Sequence, residues 1–140
     1  MPFVSITRLR VRSWRYLPAF LVQSARAALQ AKRAAGNLAV SVLRDVNLAF
    51  WTRTVWSEDA AMRSFMLSGA HRHTMPRLSE WCDEAAVVHW NQDELEPPSW
   101  PASHRRLQRE GRPSKVNHPS EAQRRFEIPA PRWTAELKFK

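Results

Sequence analysis

Between Leu48 and Trp90 the apolar period runs from two to 3.6 and back to two, and few folds accommodate that order. In LAFWTRTVW, Phe50, Thr52, Thr54 and Trp56 fall on one face and Ala49, Trp51, Arg53 and Val55 on the other. That alternation of aromatic and β-branched residues predicts a strand. Ser57 is placed to cap a helix, with Glu58 and Asp59 at the positive end of its dipole. Met62, Phe65 and Met66 supply the apolar i, i+3, i+4 stripe. Ser68-Gly69 weakens this helix, and Pro76 removes an interior hydrogen bond, so a kink or restart is expected between Gly69 and Pro76. Leu78 and Trp81 carry the apolar face to Cys82, and Ala85–Trp90 is a second short strand.

The preceding residues supply the matching half. Phe3–Val11 alternates as a strand, with Arg8, Arg10 and Arg12 on the same face as Val4 and Ile6. Guanidinium groups bind oxyanions in forked pairs, so these arginines are candidates for an anion. Arg8, nearest the middle of the strand, is the best placed; an open edge or a solvent-facing strand end is the better reading for Arg10 and Arg12. Pro18 suits the first turn of a helix that buries Leu17, Phe20, Leu21, Ser24, Ala25, Ala28 and Ala31 and turns Arg26, Gln30 and Arg33 away. Gly36-Asn37 ends it, and Leu38–Leu43 is the next strand. The order β-α-β-β-α-β predicts an α+β, ferredoxin-like antiparallel sheet with both helices on one face. Its other face carries Val and Trp, too large an apolar patch to leave bare, so a homodimer is expected to cover it.

The stretch TVW, SEDAAMRSFMLSGAHRHTMPRL and EWCDEA resembles the antibiotic-biosynthesis-monooxygenase superfamily, within it the spheroidene-monooxygenase-like branch, much of which is a domain of unknown function. The likeness spans about residues 3 to 90 and is sharpest from Trp51 to Trp90; GRPSKVNHPS in the tail is also similar. It implies a dimeric α/β barrel and an oxygenase-like activity on a hydrophobic polycyclic or polyene substrate. In haem-binding branches a histidine after an FxxWLxS-type segment holds the iron, and SFMLSGAH resembles that segment. The resemblance therefore makes His71 the candidate catalytic residue and haem ligand, with Arg8 meeting an anionic group. Cofactor-free chemistry, with His71 as base or orienting donor, stays open beside it. Trp51, Trp56, Met62, Met66 and Trp90 are the expected lining of an apolar pocket.

Other readings stay open as well. A non-catalytic dimer that binds a ligand or partner would use the same residues, since a fold does not fix a reaction. His73 lies two residues from His71, on another helical face, and no ligand spacing points to zinc or another metal. His89 is read as a satisfied core or interface histidine. Three glycines in 140 residues leave no phosphate-cradling loop. Cys82 is alone, which excludes an internal disulfide and fits a reducing, cytoplasmic setting. No apolar run spans a bilayer and no signal segment is seen. The net charge is +9, and residues 1–35 hold seven Lys or Arg and no acid. Such a bias suits nucleic acid, an anionic membrane or a solvated basic surface, but no nucleic-acid-binding motif accompanies it.

The domain reading is thus 1–90 for the barrel domain and 91–140 for a Pro-rich basic extension. Within it Ser99–Glu110 is a short helix too weak to stand alone, with Trp100, His104 and Leu107 on one face. It is expected to dock on the barrel mouth or on the partner. The loop GRPSKVNHPS follows, and Phe126–Lys140 is expected to be extended or partly disordered.

Overall fold

The computed structural model describes residues 1–132 and 135–140. Its elements run β1 (Phe3–Val11), α1 (Leu17–Arg33), β2 (Asn37–Arg44), β3 (Ala49–Trp56), α2 (Asp59–Met66), α3 (Gly69–Trp81) and β4 (Cys82–Asn91). After them come α4 (Trp100–Glu110), β5 (Arg112–Pro113), α5 (Glu121–Arg125) and β6 (Ala135–Lys138). The sheet is open and antiparallel, in the order β5-β4-β1-β3-β2-β6, so the central four strands have the expected ferredoxin-like arrangement. Among the described residues no helix is long and apolar enough to cross a membrane.

Several local expectations need adjusting. Ser57 does not cap α2: Glu58 occupies that position, and the Ser57 N–H is taken by the Gly36 carbonyl at 2.7 Å. Gly36 has φ +84°, and a Cβ there would meet Ala61 at 2.7 Å, so only glycine permits this approach of the α1–β2 turn to α2. The helix restart falls at Leu67-Ser68, and Pro76 lies inside α3. β4 begins at Cys82 rather than Ala85. In the tail, the two-residue β5 forms inside the stretch expected as loop, β6 lies in the stretch expected to be extended, and α5 forms in the five residues between them, for which no element was expected. Trp133 and Thr134, inside the stretch read as extended or partly disordered, lie outside the described residues.

Strand parity sorts the side chains between two layers. On the helix side Phe3, Val40 and Trp56 pack with Ala28, Ala31, Met62 and Phe65. At one end Val11, Phe20 and Cys82 continue this layer. On the outer side Val4, Ile6, Leu43, Trp51, Val55, Ala86 and Val88 are buried beneath Trp100, Leu107 and Ile128. The outer face is therefore covered by the chain's own extension. α4, rather than a partner sheet, supplies the apolar area that this face was expected to need. The expected docking face of α4 is the one buried, but it sits across the sheet from the helices rather than at a pocket mouth.

Polar contacts hold this cover down. Arg53, on β3, donates to the Pro98 carbonyl at 2.7 Å and to Glu136 on β6 at 3.1 Å, and its guanidinium lies 4.4 Å from the centre of the Trp100 ring. Burial lowers the Arg53 pKa, and Glu136 opposes that shift. Ser99 caps α4 by accepting from the Ala102 N–H at 3.2 Å. A ring nitrogen of His104 contacts the Ile128 carbonyl at 2.7 Å.

Candidate functional site

The helix side of the sheet does not close completely. A cavity of about 150 Å³ lies between β1, β3 and β4 below and α1, α2 and α3 above. Its ceiling is mostly apolar, with Ala28, Ala31, Met62, Phe65, Met66 and Leu78 among its walls, but Gln23, Ser24, His71 and Thr74 also line it from the helices. Its floor is different. Ser5 and Thr7 of β1 stand opposite Thr54 and Thr52 of β3, so two cross-strand hydroxyl pairs face the space. His89 of β4 stands opposite Ser5 and extends that row. Among the described residues, no lysine, arginine or carboxylate lines the cavity.

His71 enters from the first turn of α3, and the break between α2 and α3 puts it there. Gly69 has φ +57°, a backbone state that glycine takes without strain. Gln30 of α1 bridges the break: its amide donates to the Ser68 carbonyl at 2.8 Å, and its carbonyl accepts the His71 backbone N–H at 3.0 Å. The imidazole packs on Phe65, with ring centres 4.7 Å apart, and its Nδ1 lies 3.3 Å from the Met66 carbonyl. A carbonyl only accepts, so Nδ1 carries the proton, and in the neutral ring Nε2 keeps a lone pair. Burial lowers the His71 pKa, and the Met66 carbonyl offsets this in part. The ring is thus held as a neutral base at ordinary pH. His89 is also lowered, by burial and then by the charges of Arg112 and Arg63, and it packs on Phe3 at 5.5 Å.

The structure divides the predicted site residues between the two faces. His71, Met62 and Met66 line the cavity. Trp56 shares this side but lies behind Phe65, its Nε1 donating to the Thr54 hydroxyl at 2.9 Å. Trp51 and Trp90 do not reach the cavity. They belong to the outer layer, where Trp51 donates to Asp45 at 3.0 Å and Trp90 packs beneath Arg106. Arg8 is on the outer side too, buried and paired with Glu84 at 2.7 Å. Burial disfavours the Glu84 anion, but hydrogen bonds from Arg8 and Ser120 outweigh it and the pKa falls. His71 and Arg8 therefore do not form one constellation. Gln30, read as solvent-facing, is instead the residue that positions His71. Burial and the neighbouring Asp83 charge push the Cys82 thiol up to about 12, so it is no nucleophile at neutral pH.

Haem does not fit this site. Pockets that hold drug-sized ligands run to roughly 300–1,000 Å³, against about 150 Å³ here. Among the described residues the lining also offers no cation for propionate groups, since Arg8 faces the other way.

No family model matches the sequence, and no curated protein is similar to it. Solved structures are similar in fold. SnoaB, a cofactor-independent oxygenase from Streptomyces nogalater, aligns with TM-score 0.55 and 18% identity over 66% of this chain and 94% of its own. Rv0793 from Mycobacterium tuberculosis aligns with TM-score 0.61 and 11% identity over 67% and 97%. An antibiotic biosynthesis monooxygenase aligns with TM-score 0.59 and 13% identity over 66% and 99%. The fold is that of the antibiotic biosynthesis monooxygenases. These neighbours are matched over nearly their whole length, so about a third of the present chain has no counterpart in them.

Proposed function

We propose that this chain is a small oxygenase-like enzyme whose substrate enters the helix-side cavity and is deprotonated by His71. The reading rests on one observation: the Nδ1 contact to the Met66 carbonyl leaves Nε2 as the free base of a neutral imidazole bordering an apolar space. Proton removal by a positioned base is worth about a hundred- to ten-thousand-fold in rate. A substrate with an acidic methylene between unsaturated groups then supplies the electrons itself. The carbon gains one oxygen atom from O₂ and loses two hydrogens, the second oxygen atom leaves as water, and a carbonyl product remains. A space of ~150 Å³ takes about one six-membered ring, so a polycyclic or polyene substrate would place one ring or end inside. The hydroxyls of Ser5, Thr7 and Thr52 are there to meet its polar edge.

The outer position of Arg8 favours a second reading, a binding protein without turnover, because it removes the charged partner expected for His71. A homodimer is not placed on the outer face in either reading, since Trp100 and Leu107 already occupy it. Oxygen uptake without added cofactor, followed against pH with polycyclic methylene substrates, separates the two. His71 acts as a base only when neutral, and its pKa lies below the usual 6.5. Activity should therefore fall on acidification as the ring is protonated, with a midpoint below that of an ordinary imidazole. No uptake with any substrate would leave the binding reading.

A further inference from the structure

The basic, acid-free start of the chain is left unexplained by the cavity, and the structure gives it a surface. α1 packs on the sheet with one face, yet Leu21, Val22 and Leu29 on its other face are more than two-fifths exposed. Trp14, just before the helix, is 70% exposed, and Leu67, at the α2–α3 break, is 71% exposed. These residues are not scattered. Val22 and Leu29 are seven apart and share a row of the helix. A shallow groove brings Leu29, Gln30 and Ser68 together, so Leu67 sits beside the end of that row. At the other end Trp14 and Leu21 border a second groove against Val46 and Phe50. Met75 of α3 is 43% exposed and also lines the cavity, so this surface runs up to the cavity wall.

The charge around it has one sign. Arg26 and Arg33 form the row next to Val22 and Leu29, and Lys32 lies within the exposed arc. None of the three has a carboxylate partner among the described residues. Arg72 and Arg77 are exposed on the neighbouring α3. No acid precedes Asp45 in the chain, and that residue is buried, its carboxylate holding the Trp51 indole. Asp59 and Glu80 are already paired with Arg63 and Arg12.

We propose that the outer face of α1, with Trp14 and Leu67 at its ends, docks on an anionic lipid surface. Exposed leucine, valine and tryptophan side chains flanked by arginine and lysine are what an interfacial helix needs: the apolar tips enter the acyl boundary while the bases meet anionic headgroups. A second copy would set like charges against each other, and a nucleic acid would leave the aliphatic tips without a role. Docking would bring the cavity wall at Met75 to the bilayer, where an apolar substrate is held. The docking itself does not depend on the reaction proposed above.

The test is co-sedimentation of the full chain with phosphatidylcholine vesicles, with and without about 30% phosphatidylserine, at ~50 and ~500 mM salt. Binding to the anionic vesicles at low salt, at least about tenfold weaker without phosphatidylserine or at high salt, is the expected result. Leu21→Ser with Leu29→Ser, and separately Arg26→Glu with Arg33→Glu, should each weaken it at least about tenfold. All four side chains are exposed, so circular dichroism should stay that of the wild type. Failure to sediment with anionic vesicles at low salt overturns the proposal, as does undiminished binding by the Arg26→Glu/Arg33→Glu variant. Tighter binding to a single-stranded RNA than to vesicles would assign the face to nucleic acid, and loss of a dimer in the leucine variant would assign it to a second copy.

Discussion

Replacing Trp100 with alanine is expected to cost about 3–5 kcal/mol of stability, the range for emptying a buried aromatic site. The indole is buried at the start of α4, edge-on to Trp51 with ring centres 6.4 Å apart. It also lies against the Arg53 guanidinium, a charge already removed from water with its Nε unpartnered. Alanine would leave a void beside Trp51 and take away the ring that this cation faces. α4 has only 11 residues and cannot hold its helix without docking. Its release would uncover Val4, Ile6, Leu43 and Val55. Urea unfolding should show the lowered midpoint, and limited proteolysis should cut the Gln92–Ser99 connection faster. A loss below ~1 kcal/mol would mean that α4 is not what keeps the outer face dry.

His71→Ala is the second large change. If Nε2 takes the substrate proton, turnover should fall about a hundred- to ten-thousand-fold with little change in stability, the ring being only half-buried. Gln30→Ala should give a smaller loss, because Gln30 holds the backbone of the α3 start rather than touching substrate. In that variant the pH profile should still be set by His71. Arg8→Met should leave turnover nearly intact, since the guanidinium lies across the sheet from the cavity, although Glu84 would keep only Arg10 and Ser120 as partners. Steady-state kcat/KM for the three variants checks this order. Equal losses in Arg8→Met and His71→Ala would speak against a one-sided site.

Much of this was legible in the residues. The alternation in Phe3–Val11 and Ala49–Trp56 fixes which side chains share a face, and the sheet follows from it. That same parity already separates Trp51 from Trp56, so the two could not line one pocket. Which face receives the helices depends on the path of α1 over the sheet, and residue spacing does not fix that. Arg8 and Trp51 were therefore open to either side. The apolar face of α4 was readable as Trp100, His104 and Leu107, but its target was not, because residues far apart in sequence, such as Val4 and Leu107, meet in that layer. α5 did leave a signal: Ser120 followed by Gln123 is a capping-box pattern, and the Ser120 hydroxyl accepts the Gln123 N–H at 3.1 Å, while the Gln123 side chain turns away to Ala85 and Ser114. Gln30 left none, since its role exists only once α1 lies against the α2–α3 break.

The central claim is that ligand and chemistry belong to the helix-side cavity, and filling that cavity tests it most directly. Ala28 is buried on α1 and lines the space, so Ala28→Phe should occupy it at a cost of about 1–3 kcal/mol. Oxygen uptake by this variant, measured without cofactor beside the wild type, should be abolished while its circular dichroism spectrum stays native. Undiminished uptake in a folded Ala28→Phe protein would place the reaction elsewhere on the molecule.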